Sequence, residues 1–221
     1  MIITIIVIFL SLGIAHSEDT LEKTWKFFAQ DRLVCTQKDR HRIYTAYGHP
    51  WVRNSQQRLQ ADRLRIWTAP SQGLIKVVAN QRAHVSFFPH SLTAGHIVYD
   101  VERGRIVASG SPARWHSRSY QFSAPFLCAW VRRDSQKIQL QRLSSKFCQL
   151  HTPEILILAH QGSYDHIRKI FQTQHQTWIV KGRDILKGSL GKIHVNSRRG
   201  VLSHGNKDVI CVFSAQKAKQ C

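Results

Sequence analysis

Thirteen histidines, five cysteines and thirteen carboxylates are the side chains through which acid–base, nucleophilic or metal chemistry would have to run in this chain. Their placement argues against each. A catalytic acid–base pair needs two carboxyl groups held in one site. Glu18, Asp19 and Glu22 crowd one short stretch, and Asp100, Asp165, Asp184 and Asp208 stand in turn-like contexts, where Asp commonly bonds its own backbone. His41, His49, His84, His90, His96, His116 and His151 are scattered, and neither H-x-H nor H-E-x-x-H occurs. Cys35, Cys128, Cys148, Cys211 and Cys221 form no C-x-x-C, so neither a redox motif nor a zinc knuckle is supported. A Cys–His nucleophile pair would have to be assembled in space, and nothing in the spacing singles one out. Gly-Arg-Asp-Ile-Leu-Lys-Gly-Ser-Leu-Gly-Lys (182–192) looks like a phosphate loop, but it misses the G-x-x-x-x-G-K-[ST] spacing and precedes a strand where that motif needs a helix. The chain reads as a non-enzyme with no catalytic residues, metal site or cofactor.

Charge points to binding instead. Thirty-two Lys and Arg against thirteen acids give a formal +19, which calls for an anionic partner such as nucleic acid, anionic lipid or a phosphorylated glycan. The basic residues are dispersed along the chain, as on the wet face of sheets. Trp67, Phe87, Phe88, Trp115, Trp130 and Trp178 lie among them and would suit base stacking. Aromatics at strand positions more often fill a core, however, and the N-terminus carries an export pattern. Residues 1–14 are almost wholly apolar, too short to span a bilayer, which needs roughly 20 residues, and Ala15-His16-Ser17 makes a small-residue cleavage site. Residues 1–17 are read as a cleaved signal peptide, residues 18–213 as one domain and residues 214–221 as a basic tail. The location expected is outside the cytoplasm, with no nucleic acid. In an oxidising compartment disulfides can form, and Cys128 with Cys148 is the expected pair.

The elements that must position all this are strands. Residues 92–115 show the unit: Ile97, Val98 and Tyr99, then a turn bracketed by Asp100 and Gly104, then Ile106 and Val107, broken by Gly110 and Pro112 as at a bulge or sheet edge. A shift of 96 residues lays Ser189-Leu-Gly-Lys-Ile-His-Val-Asn196 over Thr93-Ala-Gly-His-Ile-Val-Tyr-Asp100. Weaker echoes begin at Leu59, Phe122 and Leu150, so one supersecondary unit recurs roughly every 30 residues. Residues 18–33 form a short helix or a first strand, and residues 74–88 form one long strand or a kinked pair. Residues 120–130, 137–143, 147–159, 167–180, 184–195 and 201–213 supply the rest. About 12–16 short strands and no sustained helical period make an all-β fold.

With the repeat in view, the chain resembles the periplasmic lipopolysaccharide-transport proteins of the LptA/OstA type. Four segments carry the resemblance: Gln-Ala-Asp-Arg-Leu-Arg-Ile (60–66), Leu-Ile-Lys-Val-Val-Ala-Asn-Gln-Arg-Ala (74–83), Leu-Thr-Ala-Gly-His-Ile-Val-Tyr-Asp (92–100) and Gly-Arg-Ile-Val-Ala-Ser-Gly-Ser-Pro-Ala (104–113). It covers residues 59–115 well and residues 120–213 only by pattern; the cysteines and the basic charge depart from it. The resemblance implies a single β-jellyroll, a V-shaped roll of antiparallel strands whose apolar trough holds the acyl chains of lipopolysaccharide. It also implies head-to-tail self-association and docking to inner- and outer-membrane transport components with related β-jellyroll domains. The lipid-lining residues expected are Leu64, Ile66, Val77, Ile97, Tyr99, Ile106, Ile138, Leu140, Ile193 and Val195. Two further readings are an inner-membrane-anchored relative of the same system and a basic secreted nucleic-acid- or glycan-binding protein.

Overall fold

β-branched and aromatic runs punctuated by Gly, Pro and Asp become strands throughout the chain. A computed structural model describes residues 6–9, 25–70, 73–133, 138–195, 199–204 and 207–212; residues 6–9, 111, 133, 138, 204 and 207–212 are described in backbone alone. Seventeen strands form one sheet: β1 (Ile6–Phe9), β2 (Lys26–Ala29), β3 (Arg32–Lys38), β4 (His41–Tyr47), β5 (Trp51–Arg53), β6 (Gln57–Gln60), β7 (Arg63–Ala69), β8 (Gly73–Phe87), β9 (His90–Asp100), β10 (Arg105–His116), β11 (Gln121–Arg133), β12 (Ile138–His151), β13 (Leu156–Asp165), β14 (Ile170–Lys181), β15 (Asp184–His194), β16 (Arg199–His204) and β17 (Lys207–Val212). No helix occurs among the described residues. The fold is all-β, as expected, with seventeen strands among the described residues where about 12–16 short ones were expected.

From β8 onward each strand pairs antiparallel with the next in sequence. Strands β8, β10, β12 and β14 begin at residues 73, 105, 138 and 170, so the recurring unit is a hairpin of 32 or 33 residues. The turns use the acids anticipated there. Asp100 Oδ1 accepts the Arg103 N–H at 3.0 Å, and Asp165 Oδ1 accepts those of Ile167 and Arg168 at 3.0 and 2.9 Å.

Strand alternation breaks in the middle of these long strands, and that break makes the roll. The buried set runs Leu92, then Ile97 and Tyr99 in β9; Ile106 and Ala108, then Ala113 and Trp115 in β10; Phe122 and Ala124, then Leu127 and Ala129 in β11; Ile157 and Ala159, then Tyr164 in β13. Each set changes between even and odd numbers, so an odd number of extra residues turns these strands a corner while keeping apolar side chains inside; in β8 and β14 the buried residues (Ala79 then Ala83, Thr173 then Thr177) keep odd numbers across it. Left-handed backbone marks the same places at Gln81, Arg82, Phe147 and His175. At the β9–β10 corner Gly110 lies against Gly95, and a Cβ on Gly110 would stand 2.7 Å from the Gly95 nitrogen. The sheet therefore folds over into two layers. β8 shows the division: β7 pairs with its residues 73–80, and β6 with its residues 84–87. β4 and β3 extend the first layer; β5, β2 and β1 extend the second.

Two expectations change. Residues 138–151 are one strand bent at Phe147, and the turn falls at residues 152–155. There Thr152 Oγ1 accepts the N–H groups of Glu154 and Ile155 at 3.3 and 3.1 Å, a local turn that outcompetes continuation of the strand. Cys128 and Cys148 are both buried free thiols. Cys128 faces Ser144, so Cys148 sits four residues along the neighbouring strand, ~13 Å away at the usual rise per residue. No disulfide spans that distance. Apart from the β1 backbone, residues 1–17 lie outside the described residues, as do residues 214–221.

Trp115, Tyr164, Phe87, Phe122 and Phe171 are among the fully buried side chains. Phe122 of the second layer meets Phe171 of the first edge to face, with ring centroids 6.0 Å apart. Replacing Phe171 with Ala should cost about 3–5 kcal/mol, read as a lower urea midpoint at unchanged m-value; a midpoint within error of wild type would show that the layers are not joined there.

Candidate functional site

The register of the ladder lines the apolar residues into two walls. In the first layer one cross-strand row passes through Tyr44, Ile66, Val77, Tyr99, Ile106, Ala129, Leu143, Tyr164, Phe171 and Ile193. In the second layer a matching row passes through Phe27, Val52, Leu59, Val85, Leu92, Trp115, Phe122, Leu150, Ile157, Ile179 and Leu186. Every member of the first row is buried, and so is every member of the second except its last, Leu186, which is exposed. Each fully buried Val, Leu, Ile or Phe contributes about 1.5–3 kcal/mol, so the paired walls are the main store of stability as well as the candidate lipid surface.

Eight of the ten residues expected to line a trough stand on the first-layer side of this interior. Leu64, Ile66, Val77, Ile97, Tyr99, Ile106, Leu140 and Ile193 are all buried in one cluster. Val195 is half-buried against that cluster, just past the end of β15. The side chain of Ile138 lies outside the described residues. The second wall was missed entirely. Its signal was present: Leu92 and Trp115 flank the glycines of the repeat, but a strict period of two assigns them to the outer face. Only the corner brings them in.

Toward the C-terminal end the second row loses its cover at Leu186, and three residues on the opposite face of their strands are exposed with it. Ile185, Leu186, Leu190 and Val201 are exposed, between 36% and 58%. An opening lies at the side, where the free margins of the layers meet opposite the corners. Here a cavity of about 580 Å³ is lined by Phe87, Phe88, His90, Leu140, His166, Ile167 and Lys169, with Ser55, Gln56, Pro89 and Gln139. Phe88 is 80% exposed and Ile167 68%, an apolar lip facing water. Arg118 covers one face of Phe88, its guanidinium 4.7 Å from the ring centroid. The mouth thus joins apolar surface to two cations.

Polar and aromatic contacts hold the margins together. Gln57 Nε2 donates to Tyr99 Oη at 3.2 Å across the layers. The Tyr120 and Tyr164 rings meet at 4.7 Å, and the His90 and His166 rings at 5.0 Å. Tyr120 Oη lies 3.2 Å from His166 Nδ1, and Lys169 Nζ lies 3.0 Å from His166 Nε2. A lysine ammonium only donates, so Nε2 accepts, Nδ1 carries the proton and the tyrosine oxygen receives it. His90 Nδ1 and Trp115 Nε1 are buried with no hydrogen-bond partner. Among the described residues, no three of His, Cys, Asp and Glu gather as a metal site would require. Burial pushes the Cys148 thiol up to about 12, which leaves it a packing group rather than a nucleophile.

Burial also sets the titration of the margin. It lowers His90 to about 4, with His166 and Lys169 adding repulsion, and it lowers His166 to about 4, with Lys169 adding to the effect. Burial lowers Lys169 as well. In the unfolded chain histidine titrates near 6.5. Between pH 6.5 and 4 the unfolded chain therefore binds more protons, and stability falls as the pH falls. The loss is on the order of 3 kcal/mol for the deeply buried His90 and smaller for the more exposed His166, where solvent screens the charge. The urea midpoint should drop over this window, and His166→Gln should flatten the drop. A wild-type midpoint that stays level from pH 6.5 to 4 would contradict the account.

No protein-family model matches the chain, and no curated protein matches it. Among solved structures it is similar to LptH of Pseudomonas aeruginosa, the LptA-homologous periplasmic component of the conserved lipopolysaccharide transport device, at 14% sequence identity and a TM-score of 0.43, over 56% of this chain and 85% of that one.

Proposed function

We propose that this chain is a periplasmic lipid-carrier or bridge module, which takes the acyl chains of lipopolysaccharide between its two apolar walls and passes them toward the outer membrane. One observation carries the reading. Two unbroken apolar rows face each other through most of the strands, and a mouth with apolar lips and cationic rims opens beside them. Each methylene taken from water gains about 0.8 kcal/mol, which is enough to hold chains that make no specific contact. Lys169 and Arg118 stand where phosphates of a headgroup would remain in water. A polar atom of the bound lipid would also satisfy the unmet nitrogen of His90.

The interior is packed, so loading requires the margins to part. The contacts across them are a hydrogen bond and stacked rings, weak enough to exchange against an incoming chain. Release follows from the same absence of a specific anchor. For bridging, β3 and β17 each pair on one side alone among the described residues, and so does β2 once residues 1–17 are removed. Such edges accept a strand from another copy or from a transport component with a related jellyroll.

A photoreactive phenylalanine analogue in place of Leu140 at the mouth, and another in place of Tyr99 on the wall, should give light-dependent adducts with lipopolysaccharide. The same group at exposed Arg103 should give none. A folded, labelled protein yielding no adduct at either inner position would end the carrier reading.

A further inference from the structure

The outer face of the first layer carries a pattern that lipid carriage between the walls does not use. Arg32, Tyr47 and Arg63 are successive cross-strand neighbours on β3, β4 and β7. Both guanidinium groups lie over the Tyr47 ring, at 5.0 and 5.3 Å from its centroid. Two residues along β7 stands Arg65, and two further is Trp67, paired with Lys76 of β8. Arg65 and Lys76 both lie over the Trp67 ring, at 5.3 and 5.4 Å. All four cations are exposed. None has a carboxylate within ion-pair distance among the described residues; the nearby Asp62 is taken by Arg82 and His49. Asp100, opposite Lys76, marks the border of the patch, and Arg103 is its ion-pair partner.

Stacking fixes what such cations can still do. A guanidinium on a ring uses its face and keeps its N–H donors, which lie in its plane, for an anion. The rings hold the side chains in place, so little rotamer freedom remains to be lost on binding. The same stacking covers Tyr47 on behalf of Arg32 and Arg63, which removes the bare aromatic face that single-stranded nucleic acid needs. The surface is also the broad side of a sheet three to four strands wide, suited to a planar array of phosphates rather than to a groove.

We propose that this face, with Arg32, Arg63, Arg65 and Lys76, docks on the surface of an anionic phospholipid bilayer. The inference stands apart from the carrier reading, since it uses none of the inner walls. Anionic leaflets attract basic residues by an amount equivalent to about fivefold in partitioning per residue. The full chain should co-sediment with vesicles of phosphatidylglycerol and phosphatidylcholine, not with phosphatidylcholine alone, and half-molar salt should release it. A variant with Arg32→Gln, Arg63→Gln and Arg65→Gln should partition about a hundredfold more weakly. A control with Arg168→Gln, Arg183→Gln and Lys187→Gln loses the same charge from exposed sites elsewhere and should stay within a few fold of wild type. Circular dichroism and the urea midpoint verify that both variants are folded. Equal losses in the two variants would reduce the effect to net charge and overturn the proposal. So would equal binding to neutral vesicles, or binding to duplex DNA but not to vesicles.

Discussion

Extra residues in the middle of the long strands are the constraint on which this structure rests. A strand alternates its side chains strictly, so a flat sheet would bury one half of β9, β10, β11 and β13 and expose the apolar residues of the other half. The slip at the corners reverses the alternation, and Leu92 and Trp115 reach the same interior as Ile97 and Ile106. At the β9–β10 corner Gly110 allows two backbones to approach where a Cβ on it has no room. The twofold layering, the two walls and the meeting of the free margins all follow from that slip.

Closure has an electrostatic consequence. Once the layers face each other, the polar groups nearest the free margins are drawn partly out of water and have only one another as partners. Gln57 finds Tyr99, and His166 finds Tyr120 and Lys169. The imidazoles stay neutral because burial and a neighbouring ammonium both oppose the charged form. The margin is thus the least apolar and least tightly joined part of the interior boundary. Apolar surface, the Lys169 ammonium and the unmet nitrogen of His90 meet there within one cavity.

The basic charge is managed by a different device. With few acids available, Arg and Lys on the outer faces lie over aromatic rings instead of forming ion pairs. Tyr47, Trp51 and Trp67 carry two cations each, and Trp130 carries Arg142. Each such contact contributes about 0.5–1 kcal/mol at an exposed site and leaves the charge open to a solvent-side partner. Trp67 and Trp130, read from sequence as possible base stackers, work on the outer face as platforms for cations. Phe87 and Trp115, from the same set, are in the core.

Strand content, the hairpin period and half of the first wall (Ile66, Val77, Tyr99, Ile106 and Ile193, but not Tyr44, Ala129, Leu143, Tyr164 or Phe171) were legible in the linear chain, because turn residues and local alternation are properties of short segments. Asp100 and Asp165 could be placed in turns for the same reason. The second wall, the bend at Phe147, the separation of Cys128 from Cys148 and the side mouth were not legible. Each depends on how far one strand has slipped against its neighbour and on which layer it then joins. Residues as distant as Phe87, Leu140 and His166 come to line one cavity only after several such slips have accumulated. A period of two names the inner residues of a strand, but the corners decide which inside they share.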